Sequence, residues 1–147
     1  MNKPQLDNLK QICETAGIKL THQRLEIFKE LIAAKDHPGA ELIYQRLQER
    51  LPTIAIDTVY RTLATFEELG IVKKLHIMSE RTLFDGNMDQ HHHFICTRCN
   101  AVEDIYWPEF DNSLLPDKLS DKGRIQSRHL ELHGVCNNCL GARANNS

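Results

Sequence analysis

Four cysteines fall in two Cys-x-x-Cys pairs, Cys96/Cys99 and Cys136/Cys139, with 36 residues between the pairs. Thiolates two residues apart can turn onto one ion, and two such knuckles complete the closed tetrahedral S4 geometry of structural Zn2+. The ion would then pin two distant parts of one small domain together. Disulfides are the competing use of these cysteines, but they belong to exported proteins. Met1-Asn2-Lys3-Pro4-Gln5-Leu6-Asp7 lacks the apolar run of a signal peptide. The expectation is one structural zinc per subunit in a cytoplasmic protein. Cys13 sits in an apolar stretch and reads as a core residue.

A second constellation lies just upstream, in His91-His92-His93. In an extended segment His91 and His93 point one way and His92 the other, because strand side chains alternate. Two imidazoles on one face can chelate an ion. Asp104 falls on the strand to which the first knuckle folds back, with Glu103 facing away, and Asp85 ends an earlier hairpin. Imidazoles and carboxylates without thiolate suit Fe2+, Mn2+ or Zn2+ in an open, exchangeable site. Taken alone, His37 reads as a loop histidine before a proline and Asp85-Gly86 as a turn.

At 147 residues the chain fits one ordinary domain or two small ones. No stretch approaches the roughly 18 apolar residues of a membrane span, so no membrane partner is expected. Net charge is −2 and uneven: residues 1–83 carry 12 Lys/Arg against 11 Asp/Glu, and residues 84–147 carry 6 against 9. Bulk charge therefore gives no sign of nucleic acid, although a local basic face would suffice for binding it.

These side chains need a scaffold, and the pattern predicts an α+β one. Leu6, Leu9, Ile12, Cys13 and Ala16 recur at helical spacing, closed by Gly17. Thr21 precedes a second helix through Leu25, Ile27, Phe28, Leu31 and Ile32. Ala40, Ile43, Tyr44 and Leu47 mark a third, stopped at Leu51-Pro52. A fourth runs from an Asp57 N-cap through Val59, Tyr60, Leu63, Phe66 and Leu69 to Gly70. Strands are predicted at 71–77 and 81–85, which after three or four helices is the layout of a winged helix-turn-helix. Strands at His93–Cys96 and Val102–Tyr106, a helix over Glu109–Lys122 and a strand over Arg124–Val135 form a small α/β domain, with Ala142–Ser147 a frayed tail. The predicted organisation is a winged-helix domain at 1–85, a hinge at 86–92 and a dimerisation and metal-binding domain at 93–147.

Leu20-Thr21-His22-Gln23-Arg24, Thr58-Val59-Tyr60-Arg61-Thr62-Leu63 and His91-His92-His93-Phe94-Ile95-Cys96-Thr97-Arg98-Cys99 make a specific combination. With them the chain resembles the ferric uptake regulator (Fur) family of bacterial metal-dependent repressors over essentially its whole length. The resemblance implies a homodimer on a palindromic double-stranded operator. It also implies a tetrathiolate zinc at Cys96, Cys99, Cys136 and Cys139, and one regulatory Fe2+ or Mn2+ per subunit on His37, Asp85, His91, His93 and Asp104. An accessory metal site of the family falls here on Gln90, His92, Asp111 and Arg128, and does not read as a separate functional centre.

Within the family, peroxide-sensing members resemble this chain in having Asp at the position of Asp104, where iron-sensing members usually have Glu. The implied function is repression released when iron-catalysed oxidation strikes His37 or His91. Arg61 is more typical of iron-sensing members, so a ferrous-iron-responsive repressor is the alternative. For DNA, the expected base contacts are Tyr60 and Arg61, with Thr58, Thr62, Arg24, Lys73, Lys74 and Arg81 toward phosphates. An enzyme is not expected, because neither a His-Glu-x-x-His helix nor a His-x-Glu with Pro-Cys-x-x-Cys is present. A zinc-buffering module would have no use for the winged helix.

Overall fold

The structure is a computed structural model that describes residues 1–76 and 82–145. The chain divides into two compact units, Met1–Met88 and Asp89–Ser147. The expected contact from Arg81 lies outside the described residues.

The first unit begins with α1 (Lys3–Thr15), started by a capping box in which Asn2 Oδ1 accepts the Gln5 N–H and Gln5 returns the bond, both at 2.9 Å. α2 (His22–Ala33) is capped by Thr21, whose Oγ1 accepts the Arg24 N–H at 3.2 Å. α3 spans Ala40–Leu47 and α4 spans Ile56–Glu68. The apolar stripes of all four meet in one core, with Leu9, Ile27, Ile43, Leu47, Val59, Leu63 and Phe66 at 1% exposure or less. Gly17 and Gly70 take positive φ just beyond α1 and α4, where a side chain would be strained. The wing is an antiparallel pair, β1 (Lys73–His76) and β2 (Thr82–Asp85), in the register Lys73↔Asp85 and Leu75↔Leu83.

One boundary differs from expectation. Ala55, not Asp57, is the N-cap of α4, and Asp57 lies in the first turn. There its carboxylate still complements the positive helix end.

In the second unit β3 (His92–Cys96) is the central strand. It pairs antiparallel with β4 (Val102–Ile105) and parallel with β5 (Glu131–Gly134). The parallel register sets Cys96 beside Gly134, so both knuckles emerge from the same end of the sheet. The Phe94 ring packs where a Cβ on Gly134 would lie 3.2 Å away, which favours glycine there.

The helix expected over Glu109–Lys122 is broken. Only α5 (Pro108–Asp111) and a 3-10 turn (Asp117–Lys122) form, since Pro116 disfavours helix at the residue before it. The strand expected over Arg124–Val135 contracts to β5, the stretch that pairs with β3. Ala142–Ser147, expected as a frayed tail, is helical to Asn145 as part of α6 (Asn137–Asn145). No helix among the described residues is long and apolar enough to cross a membrane.

Candidate metal centres and DNA-facing helix

Cys96 ends β3, Cys99 follows in a turn closed by Asn100 at φ 61°, and Cys136 and Cys139 flank the start of α6. Their four sulfurs lie within 4.8 Å of one another, with Cys96 Sγ 3.8 Å from Cys139 Sγ and Cys99 Sγ 3.7 Å from Cys136 Sγ. A tetrahedral zinc with Zn–S bonds of about 2.3 Å has S···S edges of about 3.8 Å. A disulfide would need about 2.05 Å. The cluster therefore fits a structural zinc, and the separations exclude disulfides among these four.

The peptide around the site favours thiolate. Backbone N–H groups of Cys136, Cys99 and Arg98 point at Cys96 Sγ from 3.3, 3.5 and 3.4 Å. These donors, Cys136 foremost, hold the Cys96 thiol down to about 6. Cys139 is pushed up to about 12, first by the Cys136 sulfur beside it. Without an ion the sulfurs cannot all be charged together; a dication removes that conflict.

Of the residues implied as regulatory ligands, two lie in the first unit. His37 and Asp85 approach with Nε2 and Oδ2 3.4 Å apart, and each side chain is 5% exposed. Their loops are tied: the Phe84 N–H donates to Pro38 O at 3.0 Å, and a Cβ on Gly39 would sit 3.3 Å from Thr82 O. Arg46 on α3 clasps the Asp36 carboxylate with two bonds of 2.7 and 3.1 Å, holding that carboxyl below its usual range. Asp85 Oδ1 accepts the Asn87 N–H at 2.9 Å, an Asx turn that sets the carboxylate's direction.

The other three lie in the second unit. His93 pairs with Asp104 across the β3–β4 ladder. Asp104 Oδ1 is 3.6 Å from Nε2 of both His91 and His93, whose rings meet edge to face at 4.8 Å. Both histidines are 1% exposed. As the alternation predicts, His92 points away from this group, toward Asp111. The donors are nitrogen and oxygen throughout, a set that suits Mn2+, Fe2+ or Zn2+. Two neighbours of this group were not among its expected residues. His129 Nε2 lies 3.4 Å from His93 Nδ1, and the Tyr106 ring lies 5.7 Å from that of His91. Tyr106 follows Asp104 at strand spacing, a signal that could have placed it; His129 carries none.

On α4, Val59, Thr62, Leu63 and Phe66 are buried. Tyr60, although it falls among the apolar positions of α4, is exposed at 48% and is not a core residue. Arg61 is exposed to solvent, its guanidinium 3.7 Å from the Asp57 carboxylate one turn earlier. Thr58 is half-buried. Thr62 corrects the expectation: at 3% exposure it faces the core rather than a phosphate. Arg24 is half-buried and its guanidinium donates to the Lys19 carbonyl.

Residues 15–133 match the model of the Ferric uptake regulator family. The chain belongs to this family. Among its Fur-family relatives, the peroxide-responsive repressor PerR of Staphylococcus epidermidis is 35% identical over 125 residues, covering 84% of this chain and 83% of that protein. PerR of Staphylococcus aureus strain Mu50 is also 35% identical over 125 residues, covering 84% of each. Among solved structures, Fur of Helicobacter pylori superposes with a TM-score of 0.78 at 21% identity, over 94% of this chain and 93% of that one. A zinc uptake regulator complexed with zinc and DNA gives 0.63 at 28%, covering 98% and 99%.

Proposed function

We propose that this Fur-family chain is a metal-responsive transcriptional repressor that loses its operator when peroxide is present. The observation carrying this reading is Asp104, a short carboxylate set between His91 and His93 at 3.6 Å from each. PerR relatives named as peroxide-responsive support it.

In this proposal one Fe2+ or Mn2+ per subunit is held jointly by His37, Asp85, His91, His93 and Asp104, and the hinge expected over 86–92 is confined to the residues ahead of β3, which begins at His92. Two of these ligands belong to the first unit and three to the second, so a shared ion fixes the angle between the units. In a homodimer formed by the second units, that angle sets the spacing of the two α4 helices against major grooves about 34 Å apart, or a multiple of this. Moving the population from mostly open to mostly closed takes about 5 kcal/mol of differential binding. Tyr60 and Arg61 contact base edges of a palindromic operator, and Thr58 and Arg24 lie nearer the backbone. Fe2+ held by these residues would supply the cleavage of H2O2, in which one oxygen is added to a ligand imidazole and the other leaves as water. His37 and His91 are the imidazoles exposed to that attack, and an oxidised ring is a poorer ligand. The zinc held by Cys96, Cys99, Cys136 and Cys139 stays structural throughout.

Arg61 favours a second reading, an iron-responsive repressor without peroxide sensing. Gel shifts of the Fe2+- and Mn2+-loaded protein across a peroxide series, with peptide masses, separate the two. Release of the Fe2+ form alone, with +16 Da on a peptide containing His37 or His91, supports peroxide sensing. Equal tolerance of both forms with no added oxygen removes it and leaves the iron-responsive repressor.

A further inference from the structure

The second unit holds a polar cluster, built around the buried His92, that the proposed function does not use. His92 is fully buried on the face of β3 opposite His91 and His93. Its Nδ1 accepts the Leu130 N–H at 3.0 Å, and a backbone N–H can only donate, so this nitrogen carries no proton. The proton of the neutral ring is on Nε2, which donates to Asp111 Oδ1 at 2.7 Å. The Leu130 carbonyl in turn accepts the His93 N–H at 3.1 Å, so the Leu130 backbone holds both the His92 side chain and the β3 backbone. Asp111 is held in place by Arg128, whose Nη1 donates to Phe110 O and Ser113 O, both at 2.8 Å, at the C-terminal end of α5.

We propose that His92 and Asp111 are a positioning pair, fixing the roll of β3 so that His91 and His93 face Asp104, and thereby setting divalent-metal affinity without touching the metal. The proposal rests on reading those three residues as ligands. A strand's roll is ordinarily fixed by apolar packing, which tolerates small rotations. A ring with both nitrogens engaged by partners on two different segments admits one orientation. The competing role for His92 is a third imidazole ligand. That would need a bare Nε2, hence a proton on Nδ1, where the Leu130 N–H already points.

The test is Mn2+ affinity of the full-length protein with its structural zinc in place, followed by the EPR signal of free Mn2+. His92→Phe and Asp111→Leu are expected to weaken binding about tenfold or more, as loss of supporting hydrogen bonds around a metal site does. Asp111→Asn keeps an oxygen to accept from Nε2 and is expected to recover most of the affinity. Zinc content and helix content should match the unmodified protein in all three. Unchanged Mn2+ affinity in His92→Phe, while His91→Ala loses it, overturns the positioning role alone. Mn2+ affinity surviving in His91→Ala overturns the ligand reading and this proposal with it. Should His92→Phe fail to fold, long-range 1H–15N spectra of the unmodified protein decide. An Nε2–H tautomer at His92, retained when Zn2+ fills the exchangeable site, is expected; an Nδ1–H tautomer or loss of the Nε2 proton overturns the proposal.

Discussion

His93 and Asp104 face each other as register partners across the β3–β4 ladder, with Nε2 and Oδ1 3.6 Å apart. The carboxylate is thus set by sheet geometry rather than by a loop, and its reach is fixed by one methylene. Asp104→Glu extends that reach without moving the backbone. It is expected to keep metal-activated DNA binding and to need at least several-fold more peroxide for release from the Fe2+ form. Dose-response gel shifts check this, and an unaltered peroxide midpoint counts against Asp104 as the determinant.

The tetrathiolate should control the second unit's folding. Cys96→Ser or Cys139→Ser is expected to drop zinc to near zero and to melt or monomerise that unit, because binding such an ion is folding free energy of about 10 kcal/mol or more. Zinc-to-protein ratio and sedimentation measure it. A zinc-free variant that remains dimeric with an unchanged melting temperature contradicts the expectation.

The ligands proposed in the first unit should be separable from folding. His37→Ala is expected to leave dimerisation and zinc content as they are while abolishing Mn2+-stimulated operator binding. Persisting stimulation, read by fluorescence anisotropy on labelled DNA, rules out the shared ion.

Arg61 and Thr62 are neighbours with opposite surroundings. Arg61→Ala is expected to cost about 1–3 kcal/mol of operator affinity and to relax sequence preference at one position. Thr62→Val, buried in the core, should leave affinity within about twofold. A large loss of DNA affinity in folded Thr62→Val would return Thr62 to the interface.

Glu26 offers a pH test. Burial pushes its carboxyl up, but hydrogen bonds from Lys29 at 3.1 Å and Arg50 at 3.2 Å outweigh this and hold it below its ordinary value. A carboxyl depressed on folding stabilises the fold above its unfolded value of about 4.3 and loses that contribution as pH falls through the folded value. Glu26→Gln is therefore expected to cost about 1–2 kcal/mol at pH 7 and progressively less below about pH 4. Urea unfolding at both values checks it; a constant difference would mean the charge is not involved.

Local signals explain what could be read from sequence. The α1–α4 stripes and the Thr21 cap are encoded within a turn or two, and the opposite facing of His92 follows from the two-residue period of a strand. The break of 108–122 at Pro116 is legible as a local breaker, but the end of α5 at Asp111 coincides with Arg128 bonds to Phe110 O and Ser113 O that arrive from far along the chain. Residues 142–145 carry no apolar stripe, so their helix depends on the turn that follows the Cys136 knuckle. Tyr60 sits at the edge of the α4 stripe, where spacing alone does not decide exposure. His129 reaches His93 through the backbone running into β5, a pairing that no residue near either one announces.

The parallel pairing of β3 with β5 carries a cost in time. β3 is the middle strand, but the neighbour that brings the second pair of sulfurs is made only after the whole 106–130 segment. At about 5–20 residues per second of synthesis, that delay is a few seconds. During it Cys96 and Cys99 hold half a site, and the edge of β3 that will accept β5 stands open. The first unit needs no such wait, so during synthesis the surface proposed to read DNA is complete before the half of the molecule proposed to govern it.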